Sequence, residues 1–342
     1  MTAPSQLFST TVARVGAHRS RREFLGMAGA AGLALTAACS RPGAGGGTPS
    51  GTVMIKHVFG ETVVSTPPTR VVSAGLTEGD DLLAVGAVPI AVTTWFGEQP
   101  FGVWPWAQQK LGDAKPALLN LDNGIAIDRI ATLKPDLIVA VNAGLDADTY
   151  KKLSEIAPTI AQSGGEAFFE PWKEQATAVA TAVFKKDEMN RLIEAVEQKF
   201  AAVAQENPSF KDRTAVLLDG RFAGDTVTAT VGGWQTEFLT AMGLATPASI
   251  KGFPAEGGQT AITRSELSAA VGSADVVIWR TESDAEQAAL LADPAVAELR
   301  ATAMKRNVFA PAELSAAIAY ASPLSYPLVA EKLPPLLARA LA

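Results

Sequence analysis

Beyond residue 70 the chain alternates short apolar runs with stretches whose apolar residues recur at helical spacing, a pattern that predicts an α/β fold with mainly parallel sheets. "RVVSAG" predicts a strand, "EGDDLLAVG" a helix stopped by Gly86, and "PIAVTTW" the next strand; "IDRIATL" predicts a helix and "DLIVAVNAG" a strand entering a glycine loop. After residue 213 the order returns, with "TAVLLDG" as strand, "WQTEFLTAMG" and "RSELSAAVG" as helices and "DVVIWRT" as strand. Two units of similar size and order predict two Rossmann-like lobes rather than one continuous sheet. Ligands of open α/β sheets sit beyond the carboxyl ends of the strands, so a pocket is expected between the lobes.

Between the units, "DEMNRLIEAVEQKFAAVAQENP" sets Met189, Leu192, Ile193, Val196, Phe200 and Val203 on one helical face, with Asp187 as N-cap and Pro208 as the stop. Roughly 18 residues at about 1.5 Å each give about 27 Å, enough to run along both lobes. A helical connector resists bending, so ligand binding is expected to cause small closure movements. The expected boundaries are an N-terminal lobe over 52–170, a helical connector over 171–208 and a C-terminal lobe over 209–342.

The first 51 residues follow another logic. Basic residues precede an apolar stretch, Leu25 to Ala38, whose 14 residues are too few for a stable membrane span. Small residues follow, and residues 1–38 therefore read as an export signal. "SRREFL" resembles the twin-arginine export motif, and "LTAAC" resembles a bacterial lipobox with Thr36 where an aliphatic residue is commoner. On this reading Cys39 becomes the mature N-terminus and carries lipid, and each buried methylene of an acyl chain contributes about 0.8 kcal/mol to holding the protein on a membrane. Residues 39–51, rich in Gly, Pro and Ser, read as a flexible tether. The glycine spacing in "GMAGAAG" matches a dinucleotide loop only superficially, since no strand precedes it.

Composition narrows the function. The chain has 342 residues and a net charge of −6; the leading segment to Ala38 holds four arginines against one glutamate, so the remainder carries −9. Such an acidic body excludes nucleic acid as a partner, whose phosphates demand clustered Lys and Arg. With one cysteine no internal disulfide forms. Direct capture of zinc or manganese wants several His beside carboxylates, and only His57 lies beyond the signal. The same scarcity argues against a chelatase-like enzyme or metal-dependent hydrolase.

"HVFGETVVSTPPTRVVSAG", "DDLLAVGAVPIAVT", "IDRIATLKPDLIVAV", "IAPTI" and "ASPLSYP" resemble the iron-siderophore type of periplasmic binding protein, the helix-linked class III that also includes ferric-citrate, ferrichrome, vitamin B12 and haem binders. The resemblance runs from about Val53 to the end, "LKPDLIV" is its most specific part, and "WFGEQPFGVWPW" makes it look most like the mycobacterial and actinobacterial type. It implies a non-enzymatic monomer without intrinsic cofactor, anchored on the outer face of the cell membrane, that captures a ferric siderophore and delivers it to the permease of an ABC importer. Haem or a corrinoid is the alternative cargo.

A ferric chelate is large, often anionic and partly aromatic, so its pocket needs ring faces and cationic side chains. Trp95, Phe96, Phe101, Trp104 and Trp106 follow a strand, and Phe168, Phe169 and Trp172 precede the connector; Trp95, Phe96, Trp104 and Phe169 are the expected ring contacts. Arg221 and Arg280 each follow a second-lobe strand and suit a bidentate hold on oxygen atoms, with Tyr320 as a further contact. Two docking carboxylates, one per lobe, are implied by the resemblance: Asp128, where glutamate is usual, and Glu266.

Overall fold

The computed structural model describes residues 51–165 and 167–342; Cys39, the export signal and most of the tether lie outside the described residues. A hairpin of β1 (Val53–His57) and β2 (Gly60–Val64) opens this part. The first large sheet then contains β3 (Val71–Ser73), β4 (Ala91–Thr93), β5 (Ala117–Leu119), β6 (Leu137–Ala140) and β7 (Thr159–Ala161). Their spatial order is β5-β4-β3-β6-β7, all parallel. The second contains β8 (Ala215–Asp219), β9 (Thr226–Thr230), β10 (Gln259–Thr263), β11 (Val276–Arg280) and β12 (Asn307–Ala310), ordered β10-β9-β8-β11-β12. The parallel strands are apolar on both faces because helices cover both sides. β9 and β10 run antiparallel at one edge, an arrangement the sequence reading did not anticipate. Their threonine-rich alternation, with β9 reading Thr-Val-Thr-Ala-Thr, suits a strand with one face less buried.

Chain order reverses direction between β3 and β6 in the first sheet and between β8 and β11 in the second. These are the switch points at which the carboxyl ends of neighbouring strands diverge and leave a crevice. The buried acids Glu78, Asp80 and Asp81 follow β3, and Asp219 and Arg280 end β8 and β11.

The span expected as one connector holds two helices, Trp172–Ala182 and Lys186–Glu206, separated where Phe184 adopts φ of +60°. Asp187 is not the N-cap; it lies in the first turn and Lys185 takes the cap position. The 21 residues of the second helix span about 31 Å. Met189 is buried in the core of the first sheet, Val196, Phe200 and Val203 in that of the second, and Ile193 packs against both. One amphipathic stripe thus serves two cores, as its spacing predicts. Phe200 sits against Phe238 and Tyr326 at ring separations of 6.2 and 5.5 Å. Phe200→Ala is therefore expected to cost about 3–5 kcal/mol in urea denaturation, whereas a loss below about 1 kcal/mol would show that the helix is not held by this core.

Candidate ligand-binding site

Rings from both halves of the chain meet in one assembly. Trp95 and Phe96 follow β4, and Tyr320 ends the Ala312–Tyr320 helix that begins just after β12. Tyr320 lies 5.5 Å from Trp95, 6.1 Å from Phe96 and 5.6 Å from Trp106 between ring centres. Phe169 joins from the loop before the Trp172–Ala182 helix, 5.3 Å from Trp95. Trp104 and Trp106 stack nearly flat, 5.2 Å apart and 2° from parallel. Four of the expected ring contacts, Trp95, Phe96, Trp104 and Phe169, are thus brought together with Tyr320.

They are not equivalent. Trp95, Phe96 and Phe169 are half-buried. Trp104 and Tyr320 are only 5% and 6% exposed, so they form the base of the assembly rather than its surface. Gly97, at φ of +84°, lets the chain pass over the Trp104 indole, where a Cβ would come within 2.5 Å of the ring. Phe169 and Ala321 hold φ of +58° and +48°, conformations disfavoured for residues with a Cβ. Such local strain persists only where surrounding contacts over-determine the backbone, and here the Phe169 amide donates to Asn142 Oδ1 at 3.0 Å.

Behind the rings lies a buried carboxylate network at the first switch point. Glu78, Asp80 and Asp81 occupy the first turn of the Glu78–Ala84 helix, close behind β3. Asp80 Oδ2 accepts the Trp106 indole N–H at 2.7 Å and the Ser322 hydroxyl at 2.6 Å. Asp81 accepts from Gln175 Nε2 at 2.7 Å, and Gln175 and Asn142 both donate to the Thr77 hydroxyl. Desolvation raises all three acids, Glu78 to about 7 and Asp80 to about 6, although the bonds from Ser322 and Trp106 oppose the rise at Asp80. Burial, with a contribution from Asp80, also pushes the Tyr320 phenol up.

The second switch point is charged differently. Asp219 and Arg280 end β8 and β11, are paired across the sheet, and form a nearly buried ion pair through Arg280 Nη2 and Asp219 Oδ1. Gly220 permits the approach, since a Cβ there would meet the Arg280 carbonyl oxygen at 2.2 Å. Arg221 is half-buried beside them. Glu282 follows β11 and is raised by desolvation and by Glu286, against the opposing effect of Arg221. The Thr281 hydroxyl donates to Ala310 O at 2.7 Å, which ties this strand end to the start of the helix carrying Tyr320.

The model of the family described as periplasmic binding protein matches residues 71–314. The chain belongs to that family. Among solved structures, a periplasmic solute binding protein from Mycobacterium smegmatis superposes with a TM-score of 0.82 at 58% identity, over 86% of this chain and 100% of that one. PiaA from Streptococcus pneumoniae in complex with ferrichrome superposes with a TM-score of 0.72 at 25% identity, over 84% and 98% of the two chains. YhfQ of Bacillus subtilis, whose name describes a substrate-binding lipoprotein of an ABC transporter, is 30% identical over 203 residues, which is 57% of this chain. The chain spans about half the length of the curated relatives it matches, 58% of YhfQ and 48% of YfmC, an Fe(3+)-citrate-binding protein of the same organism at 28% identity. The class III architecture expected of the family is the one observed, mainly parallel sheets linked through a long helix.

Within this periplasmic binding protein the remaining expected residues separate. Asp128 is exposed in the first turn of the Ile127–Thr132 helix, where its carboxylate makes no cap. Glu266 is exposed too, but it closes a capping box, accepting from the Thr263 amide at 3.1 Å and hydroxyl at 2.6 Å. His57 is buried against Thr62 and Tyr150, and Tyr326 against Trp172 and Phe200, so these groups serve packing. Among the described residues no three His, Cys, Asp or Glu are arranged to hold a metal ion, and no helix is long and apolar enough to cross a membrane. Sequence reasoning missed Asp80, Asp219, Glu282 and Ser322. The signal was present for two of them, since Asp219 directly precedes the glycine after a strand and Ser322 opens "SPLSYP".

The Asp80 carboxyl has an ordinary value of 3.8 and holds its proton up to about 6 in the folded protein. Its folded value is the raised one, so the contribution to stability is full below about pH 4 and is lost as pH rises toward 6. Asp80→Asn keeps an acceptor for Trp106 and Ser322 and removes the charge. Urea denaturation is expected to show the variant and the parent equal near pH 4, with the variant ahead by about 3 kcal/mol above pH 7. A variant less stable than the parent at neutral pH would show that the bonds to the ionised form outweigh desolvation.

Proposed function

We propose that this protein is an extracytoplasmic substrate-binding lipoprotein that captures a ferric siderophore at its two switch points and hands it to the permease of an ABC importer. The observation that carries this reading is the ring assembly, which collects aromatic side chains from both halves of the chain. Ring faces of Trp95, Phe96 and Phe169 offer stacking and van der Waals contact to the organic shell of the chelate. Trp104 and Tyr320 brace those rings from beneath. Arg221, and Arg280 with its partner Asp219, offer donors to the oxygen atoms that surround the iron. Iron is cargo here and arrives already wrapped by its chelator. The bound ferrichrome of PiaA and the Fe(3+)-citrate in the name of YfmC support iron chelates as the class of cargo.

Cys39 carries the lipid in this reading and the tether frees the body from the membrane surface. Asp128 and Glu266, on exposed first turns of two helices, meet the permease, and Glu266 does so while capping its own helix. The cargo leaves unchanged, so no catalytic group is assigned, and the protein acts as a monomer.

Titration of intrinsic tryptophan fluorescence with a panel of ferric siderophores is expected to show saturable quenching. Trp95→Ala and Arg221→Ala should each weaken binding about tenfold without lowering the melting temperature by more than a few degrees. A shifted Soret band on adding haem, with no quenching by any ferric siderophore, would replace this reading with haem capture. Separately, Cys39→Ser is expected to move the exported chain from the membrane fraction to the soluble fraction; retention in the membrane fraction would remove the lipid anchor from the account.

A further inference from the structure

Among the rings of the assembly only Phe169 has a positive φ. At +58° it lies in the left-handed region, which a bulky aromatic residue seldom occupies. With φ of the usual sign the Cα–Cβ bond would leave the chain in another direction, so the 5.3 Å approach of this ring to Trp95 depends on that conformation. The neighbouring Phe168 ring lies on Gly144, where a Cβ would come within 2.4 Å of it. Strain of this kind persists only where surrounding contacts over-determine the backbone, and it points to the contacts that do so.

The chain around Phe169 is tied down on both sides. The Glu170 carboxylate accepts the Ser163 amide and hydroxyl, each at 2.7 Å, and Ala167 O accepts the Gly144 amide at 2.9 Å. Phe169 itself is held by Asn142, whose Oδ1 accepts its amide at 3.0 Å. Asn142 follows β6 at the first switch point and is 1% exposed. Its carbonyl oxygen accepts the Leu76 amide at 3.0 Å, and Gly75 admits that oxygen where a Cβ would lie 2.5 Å away. A backbone amide can only donate, so the atom facing Phe169 is Oδ1, and Nδ2 is turned to the Thr77 hydroxyl at 2.8 Å. Thr77 donates on to Gln175 Oε1 at 3.3 Å, and Gln175 Nε2 to Asp81 Oδ2 at 2.7 Å. Each link is buried and has one polarity, so the strained residue is anchored to a rigid network that ends on a buried acid.

We propose that Asn142 is a positioning residue of the binding site: its side-chain amide keeps the Phe169 ring against Trp95 and so contributes to chelate affinity without itself meeting the chelate. The proposal rests on the siderophore reading above. Asn142→Ala would leave the Phe169 amide without its acceptor and the Thr77 hydroxyl without a donor. The backbone is then released toward an ordinary φ, and the ring leaves Trp95. Because this effect on binding passes through the Phe169 ring, it vanishes where that ring is absent.

The test is a double-mutant cycle on the full chain, read by fluorescence titration with ferrichrome, ferric citrate and a ferric tris-catecholate, with a melting curve for every variant. For the chelate that the parent binds most tightly, Asn142→Ala and Phe169→Ala are each expected to weaken binding about tenfold, and the double variant by no more than about twofold beyond Phe169→Ala. Thr77 supplies a second arm, which serves if Asn142→Ala fails to fold. Thr77→Val keeps the shape and removes the hydroxyl, so it should weaken binding about threefold or more, whereas Thr77→Ser keeps the hydroxyl and should bind as the parent does. A residue needed only for packing would show the reverse order. Unchanged binding by folded Asn142→Ala, losses that add to about a hundredfold in the double variant, or Thr77→Ser weaker than Thr77→Val overturns the positioning role and leaves siderophore capture standing. Failure of the parent to bind any of the three chelates overturns siderophore capture, and the positioning role with it.

Discussion

A buried carboxylate holds the site in register. Asp80 sits behind the first sheet with 4% of its surface exposed, and a charge in that position is tolerated only where donors converge on it. One donor is the Trp106 indole from the ring loop; the other is the Ser322 hydroxyl, 242 residues further along the chain. That hydroxyl is oriented in turn, for it also accepts the amides of Leu324 and Ser325, while the Ser325 hydroxyl donates to Ala317 O on the helix that carries Tyr320. The rings therefore meet Tyr320 in a fixed geometry because a polar bond ties the segments that carry them.

The long helix Lys186–Glu206 supplies the complementary apolar constraint. Its residues enter the core of the first sheet near one end and that of the second near the other, so a large rotation of one core against the other would have to bend the helix or expose Phe200. Lys173 reinforces the join on the surface with ion pairs to Glu197 at 2.5 Å and Glu237 at 3.8 Å, although exposed pairs of this kind are worth little each.

Much of the fold was legible because periodicity reports burial directly. The strands β3, β4, β6, β8 and β11 fall inside the apolar runs that predicted them, and the stripe from Met189 to Val203 names the helix face that is buried. The hairpin β1–β2 and the antiparallel pair β9–β10 were not read: their strands are five residues each, and a run that short names neither its partner nor its direction. At the site, the rings were legible as an anomaly of composition: five tryptophan and phenylalanine side chains do not crowd into a short surface loop for solubility. Which rings are more exposed was not legible, because Trp104 is covered by the chain at Gly97 and by the stacked Trp106, contacts that appear only once the loop is folded.

Charge shows the same limit more sharply. Arginines at two strand ends read as a cationic hold as long as each is considered alone. Register changes their meaning, for the parallel pairing of β8 with β11 sets Asp219 opposite Arg280, and Gly220 removes the side chain that would keep the two strand ends apart. A strand slipped by one residue would turn each side chain to the other face of the sheet and break that pair. The pairing of these two charges is thus a property of sheet register, fixed by buried core residues such as Leu217, Leu218, Ile278 and Trp279.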